Sequence, residues 1–121
     1  MFARSTTLLL ALGAVASAQT LKGFPTSITC LKNDRTDGDV SQDQIESAVV
    51  GPQGDITESS ASNAASGHCT SLRGIPLYNT VAGDIASVSF AYDQSTDTYT
   101  FCLAQGAVDP EIGYPSLCTE N

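Results

Sequence analysis

Hydrophobic and polar residues alternate with a period of two in the second half of the chain, as in strands with one buried face. The clearest stretch is Ile85–Tyr92, in which Val88 and the two alternating aromatic residues after it are expected on the same face. The stretches Ile75–Tyr78 and Thr98–Ala104 carry the apolar and aromatic residues of two further strands. The polar segment Asp93–Asp97 has the composition of a hairpin turn. These segments predict an antiparallel meander.

A helical spacing of apolar residues occurs between a serine and a Gly-Pro pair. Ser41 and Gln44 have the spacing of a capping box, with the serine as the N-cap. Apolar side chains follow at Ile45 and at the positions three and four residues later, which places them on one face. Gly51-Pro52 cannot continue a helix. We therefore predict one short helix over Gln42–Val50.

The remaining segments are short or polar. Ser27–Cys30 predicts a short strand, and Asn33–Asp39 predicts a polar turn. In Gln53–Gly67 the composition falls to small and polar residues, which predicts a loop or an edge hairpin. A loop beginning near Gly106 is expected to lead to a last segment, Tyr114–Cys118. One helix followed by an antiparallel meander predicts the α+β class.

The first residues have the pattern of a secretory signal peptide. Arg4 gives a short positive start, Leu8–Leu12 an apolar core, and Ala16–Ala18 a small-residue cleavage site. The apolar run is too short to span a bilayer, and no later run is longer, so we expect no membrane segment. We expect a signal peptide over residues 1–18, a single domain over residues 19–121, and an extracellular protein.

The four cysteines of the chain all follow the predicted signal peptide. In an oxidising compartment an even set of cysteines predicts two disulfides, and three pairings are open from the sequence. Their spacing lacks a Cys-x-x-Cys pair, so no metal site is expected. Gly-rich phosphate loops and Gly-x-Ser-x-Gly elbows are absent from the sequence, and no cofactor is expected.

Acidic residues dominate the predicted domain. Four Lys and Arg residues stand against 13 Asp and Glu residues after residue 18, a formal charge of −9 with histidine neutral. A surface of this charge repels nucleic-acid backbones and anionic lipids. The charge argues against a duplex-binding protein and leaves room for a local site that takes a short RNA or a nucleotide.

The order of elements and cysteines resembles the fungal guanyl- and purine-preferring ribonucleases of the T1/U2 family. The similarity runs from Cys30 and the predicted helix, through the Gly74–Asn79 and Ser87–Tyr92 strands, to the last strand and the terminal cysteine. It covers most of Cys30–Cys118 and is weakest between Pro52 and Gly67. The resemblance implies a microbial ribonuclease-like fold, with one short helix packed on a central antiparallel sheet. It also implies the disulfides Cys30–Cys118 and Cys69–Cys102.

The same resemblance implies that the catalytic residues are missing. These enzymes use a carboxylate or imidazole as base, an imidazolium as acid and a guanidinium at the phosphate. The family's Glu corresponds to Gly74 and its Arg to Ser87, while its second His falls in a segment shortened to Ala104-Gln105. Its first His has no counterpart in Gln53–Gly67. All of these catalytic roles are therefore expected to be vacant.

The residues that remain as candidates have ordinary structural interpretations as well. His68 is the only histidine, so a pair of catalytic imidazoles is excluded. Arg73 is a candidate phosphate contact or a solvated surface residue, and Asp84 and Glu111 are expected near the concave face or its loops. Four tyrosines at strand spacing are expected in core or half-buried positions, with base stacking as the alternative: Tyr78, Tyr92, Tyr99 and Tyr114.

Three functions fit these observations. The first is a catalytically degenerate ribonuclease-like scaffold used for binding, as in non-catalytic relatives among the secreted effectors of plant-associated fungi. The second is a residual endoribonuclease that uses His68, Arg73 and an acid in a rearranged site. The third is an unrelated small secreted cell-wall or toxin-like protein. For the first, we expect a monomer that binds a host or extracellular protein, or a short RNA, through loop Gln53–Gly67 and the strand ends around Arg73 and Tyr78.

Overall fold

The computed structural model describes residues 19–121, so the predicted signal peptide lies outside the described residues. Within this part, one α-helix and nine strands follow one another along the chain. The elements are β1 (Thr20–Lys22), β2 (Ser27–Leu31), β3 (Asp37–Ser41), α1 (Gln42–Val49), β4 (Asp55–Glu58), a 3₁₀ turn (Ala61–Asn63), β5 (Leu77–Ala82), β6 (Ala86–Asp93), β7 (Thr98–Asp109), β8 (Tyr114–Leu117) and β9 (Thr119–Glu120).

Two sheets form the scaffold. The larger has six strands in the order β1-β7-β6-β5-β4, with β8 paired to the far part of β7. Strands β5, β6 and β7 form the predicted antiparallel meander, β4 and β8 extend it with further antiparallel pairs, and β1 joins β7 in parallel. The smaller sheet has the order β3-β2-β9. The α+β class with one short helix is confirmed.

The helix begins as the capping pattern predicted. The Ser41 hydroxyl accepts a hydrogen bond from the Gln44 backbone N–H at 3.2 Å, and the Gln44 side-chain oxygen accepts one from the Ser41 N–H at 2.9 Å. Ile45 and Val49 are buried and attach α1 to the core. The helix ends at Val49, one residue early, because Val50 is already extended.

The polar stretch Asn33–Asp39 was predicted as a turn, and its second half is instead strand β3. The turn is confined to the residues between Lys32 and Thr36. The Thr36 carbonyl accepts a hydrogen bond from the Lys32 N–H at 2.8 Å, and Arg35 takes a left-handed conformation with φ of 70°. Strand β3 then pairs with β2 from Leu31↔Asp37 to Ser27↔Ser41. Pairing with an apolar neighbour thus overrides the polar composition of this edge strand.

The strand predicted over Thr98–Ala104 continues to Asp109, so the loop expected near Gly106 is wrong for residues 105–109. Residues 105–109 remain extended because they pair with β8. The register of this pairing shifts once, between Gln105 and Val108. Gly106 is required here, because a Cβ at this position would stand 2.5 Å from the Leu31 carbonyl oxygen. The crossing of β2 over β7 therefore depends on a residue without a side chain.

The region expected to be a loop, Gln53–Gly67, contains β4 and the 3₁₀ turn. Strand β4 is an exposed edge strand on β5, which agrees with the edge-hairpin alternative. Strand β1 was not predicted, since a three-residue strand carries too little periodicity to be recognised.

Two hydrophobic clusters lie on opposite sides of the large sheet. The main cluster joins α1 and the small sheet to the face that carries Val88, Phe90 and Phe101. The second cluster gathers Ala61, Leu77, Ala91 and one disulfide beneath the segment that precedes β5. The disulfides are Cys30–Cys118 and Cys69–Cys102, with Cα–Cα separations of 4.4 and 5.1 Å, so the pairing implied by the resemblance is confirmed.

Candidate functional site

The large sheet has an open face on the side away from α1. Residues that face each other across antiparallel strands share one face of a sheet, so the strand register identifies its members. One row across β5, β6, β7 and β8 consists of Val81, Ser87, Gln105 and Leu117, and the next row consists of Asn79, Ser89 and Leu103. We call these seven residues the open face; Ser89 is its one buried member.

The polar groups at the centre of the open face bond to one another. The Asn79 amide donates to the hydroxyls of Ser87 at 2.8 Å and Ser89 at 3.2 Å. The Ser87 hydroxyl in turn donates to the Asn79 side-chain oxygen at 3.1 Å. A neutral, internally bonded network of this kind offers no base, no acid and no positive charge to a substrate.

Exposed aliphatic side chains stand at both ends of the first row. Val81 is 63% exposed and Leu117 is 60% exposed. A pocket of about 260 Å³ adjoins Val81, Ser87 and Gln105. Residues of the β2–β3 hairpin and of the β5–β6 turn complete its wall, with Lys32 and Asp84 as the ionisable members. The open face therefore combines apolar ends with a neutral polar centre.

The positions that the resemblance assigns to catalytic residues lie before β5, on β6 and on β7. Ser87, which the resemblance assigns to the family's Arg, lies in the middle of the open face, and Gln105 lies beside it on β7. Gly74, assigned by the resemblance to the family's Glu, precedes β5 and has φ of 75°. The β5 residue opposite Ser87 is Val81. None of these positions carries an ionisable side chain.

The contacts of His68 are made with residues outside the seven of the open face. Its backbone N–H donates to the Cys102 carbonyl at 2.9 Å, and its ring Nε2 lies 2.8 Å from the Glu120 carboxylate. The imidazole ring also packs against the ring of Phe101, with the two centroids 6.3 Å apart. Both side chains of the ion pair are more than a third exposed, so the pair contributes at most about 1 kcal/mol.

The structure does not bring His68, Arg73 and Glu111 together. Arg73 is exposed in the segment before β5, at the end of the sheet where β7 begins. Glu111 is exposed in the turn after β7, at the opposite end. A 12-residue strand spans roughly 36 Å at 3.3 Å per residue. Of the acids considered from the sequence, Asp84 reaches the pocket beside the open face.

The four tyrosines divide between the core and the surface. Tyr99 is buried and its hydroxyl accepts from the Gly51 N–H at 3.0 Å, whereas Tyr114 is 70% exposed on β8. Tyr78 and Tyr92 are half-buried and their rings meet at 79° with centroids 6.4 Å apart. The expectation of core or half-core positions is therefore confirmed for three of the four and is wrong for Tyr114.

Hydrogen bonds join the two parts of the binding surface expected from the sequence, which are the Gln53–Gly67 region and the segment around Arg73 and Tyr78. Ser60 accepts a hydrogen bond from the Gly74 N–H at 2.9 Å, and the Ala61 N–H donates to the Ile75 carbonyl at 2.7 Å. These bonds fasten the Gln53–Gly67 region to the segment that contains Arg73. Ile56 of β4 is also the strand partner of Tyr78.

Asn79, Gln105 and Leu117 were not recognised from the sequence as members of a site. The alternation in Leu77–Ala82 would have placed Asn79 and Val81 on one face, had the strand been extended past Tyr78. Leu117 carries no such signal, because its place in the row depends on the pairing of β8 with β7.

Replacement of Asp97 is expected to lower the pKa of Tyr92. The Tyr92 hydroxyl donates to Asp97 at 2.9 Å, and this bond, with burial and the carboxylate charge, raises the pKa of the phenol to about 12. Because the pKa is raised, the stabilisation is complete below pH 10 and is lost as the pH approaches 12. Asp97→Asn keeps the left-handed turn, since asparagine favours that conformation. Ultraviolet titration should then show one phenol ionising earlier.

Asp84→Asn is the matched control, since Asp84 also occupies a left-handed turn position and is not hydrogen-bonded to Tyr92. An unchanged tyrosine titration in Asp97→Asn would contradict the assignment of the raised pKa to Asp97.

Within residues 19–121, no helix has the length and apolar character needed to cross a membrane. In the same part of the chain, no group of three or more His, Cys, Asp or Glu residues is arranged to hold a metal ion. Comparisons of the chain with protein-family models, with curated proteins and with solved structures found no match.

Proposed function

We propose that this chain is a secreted, non-catalytic binding protein with a ribonuclease-like fold, and that the open face is its main contact surface. The observation that carries the proposal is the chemistry of the two strand rows. The first row is Val81, Ser87, Gln105 and Leu117, and Asn79 of the second row is hydrogen-bonded to Ser87. None of the seven residues of the open face has an ionisable side chain.

Phosphoryl transfer on RNA needs groups that move protons and stabilise negative charge, each worth about 10²–10⁴ in rate. The open face provides neither kind of group, and the one imidazole of the chain is engaged with Glu120. A disulfide-stapled sheet tolerates replacement of its surface side chains, so binding can persist where catalysis is lost.

A protein is the partner that this surface favours. Exposed aliphatic side chains around a neutral polar centre match the composition of protein interfaces, in which charged residues are depleted at the core. An RNA partner requires several Lys or Arg residues to neutralise phosphates. The described residues have four such side chains, and only Lys32 lines the pocket beside the open face.

Site-specific cross-linking tests the proposal. A photoreactive amino acid at position 81 should cross-link a discrete protein from an extracellular extract, because Val81 is exposed at the end of the first row. The same residue at position 43, exposed on α1, serves as the matched control. Equal products from the two positions, or cross-links to RNA alone from position 81, would contradict the proposal.

A further inference from the structure

A second pocket lies at the opposite end of the large sheet, where β6 ends and the segment before β5 crosses it. It has a volume of about 460 Å³. Its walls are the Gly74–Pro76 segment, the rings of Tyr78 and Tyr92, and Asp93–Ser95, which form the end of β6 and the start of the β6–β7 turn. The pocket near the open face shares none of these residues.

Two aromatic rings form a corner of this pocket. Tyr78 and Tyr92 stand at 79° to each other. Each ring packs against an aromatic residue of the core. Tyr78 stacks on Phe90 with ring centroids 5.1 Å apart, and Tyr92 packs on Tyr99 with centroids 4.5 Å apart. Supported rings keep their orientation without a ligand, so little side-chain entropy is lost when one binds.

The electrostatics of the corner favour a positive ligand. Aromatic faces are negative, and the hydroxyl of Tyr92 donates to the Asp97 carboxylate, which increases the electron density of the ring. Asp93 adds a carboxylate to the wall. The hydrogen bonds that it accepts from Ser95, from the N–H at 3.0 Å and from the hydroxyl at 2.7 Å, both fall on Oδ1.

Ionisation of Asp93 is maintained by the same contacts. The hydrogen bond from the Ser95 side chain is the main cause that lowers the pKa of Asp93, and the backbone bond acts in the same direction. None of the four Lys and Arg residues in the part described lines the pocket, although Arg73 precedes Gly74 in the chain. An incoming cation therefore meets a carboxylate and two rings without a lining cation to repel it.

We infer that this pocket binds an aliphatic ammonium group, held between the rings of Tyr78 and Tyr92 and paired with Asp93. The inference does not depend on the open face or on the proposed function. The ligand is either the primary ammonium of a lysine side chain from a partner protein or the quaternary ammonium of a free choline-like molecule, because both present a positively charged nitrogen to the rings.

The test uses three small probes with the purified protein in amide NMR titrations. Choline and Nα-acetyl-lysine methylamide carry the ammonium, and 3,3-dimethylbutan-1-ol is the neutral isostere of choline. The charged probes should shift the amides of Ile75 and Asp93–Ser95. Choline should bind about 3- to 30-fold more tightly than the neutral alcohol, the range expected for cation–π attraction. Shifts with only one ammonium probe identify the source of the ligand.

Two substitutions locate the binding. Asp93→Asn retains an oxygen for the Ser95 bonds and removes the charge, and it should weaken choline binding about 2- to 5-fold, as for an exposed cation–anion contact. Asp109→Asn is its matched control, because Asp109 makes the same kind of turn bond, to the Glu111 N–H at 2.9 Å. Tyr78→Leu should abolish the shifts, while Tyr114→Leu removes an exposed tyrosine elsewhere and should leave them.

Equal affinity for choline and the neutral alcohol would overturn the inference and leave only an apolar pocket. Absence of shifts with all three probes would overturn it as well. A choline response that Asp93→Asn leaves unchanged would do the same, and this result does not require Tyr78→Leu to fold.

Discussion

Purified protein is expected to leave RNA intact, with a rate of cleavage at guanosine no higher than that of a buffer control. In ribonucleases that cleave RNA by transesterification, the base, the acid and the guanidinium each contribute about 10²–10⁴ in rate. The positions that face one another on the sheet are Val81, Ser87 and Gln105, and none of these side chains performs these roles. The measurement is turnover of a guanylyl dinucleotide at high protein concentration.

His68→Ala is the control for this assay. His68 is the only imidazole and lies against Glu120 and Phe101, so its removal should change nothing in the turnover. Turnover that disappears in His68→Ala would contradict the non-catalytic proposal and establish a rearranged site. That site would have to be built without Glu111, which lies at the far end of β7 from Arg73.

Removal of the Cys30–Cys118 disulfide is expected to lower the free energy of unfolding by about 4–5 kcal/mol, by the loop-entropy relation. The bond joins residues 88 positions apart and ties β2 to the end of β8. The variant Cys30→Ala/Cys118→Ala avoids an unpaired thiol in the core. Urea unfolding measures the effect, since the loss appears as a lower midpoint.

Cys69→Ala/Cys102→Ala is the comparison, because this bond closes a shorter loop with a separation of 33. It should cost about 3–4 kcal/mol by the same relation. A larger loss for this variant would show that strain or packing, and not chain entropy, governs the two bonds. Peptide mapping without reduction checks the pairing, and a fragment that joins Cys30 to Cys69 would contradict it.

Local signals predicted the elements that carry their own pattern. The capping box placed the start of α1 at the correct residue, and the alternation of Ile85–Tyr92 placed Val88 and Phe90 in the core. In both cases the residues that decide the structure are neighbours in the chain. Strand β3 and residues 105–109 of β7 were missed, because their conformation depends on the partners β2 and β8.

The candidate sites were likewise predicted only where a local pattern in the sequence marks their residues. From the sequence, Tyr78 and the region around Arg73 were expected to contribute to binding, and Tyr78 lines a pocket with Tyr92. The open face was not expected in its present form. Its members come from four strands, and only the register identifies Val81 and Leu117 as the ends of one row.

Helix α1, the meander of β5 to β7, the acidic charge and the absence of a histidine pair could all be predicted from composition and short-range periodicity. The three-dimensional fold determines which distant side chains meet. It confirmed one of three cysteine pairings, separated Arg73 from Glu111, and joined Tyr78 to Tyr92 and Asp93 in one pocket. Such contacts depend on strand order and register, which bring together residues whose spacing along the chain carries no periodic signal.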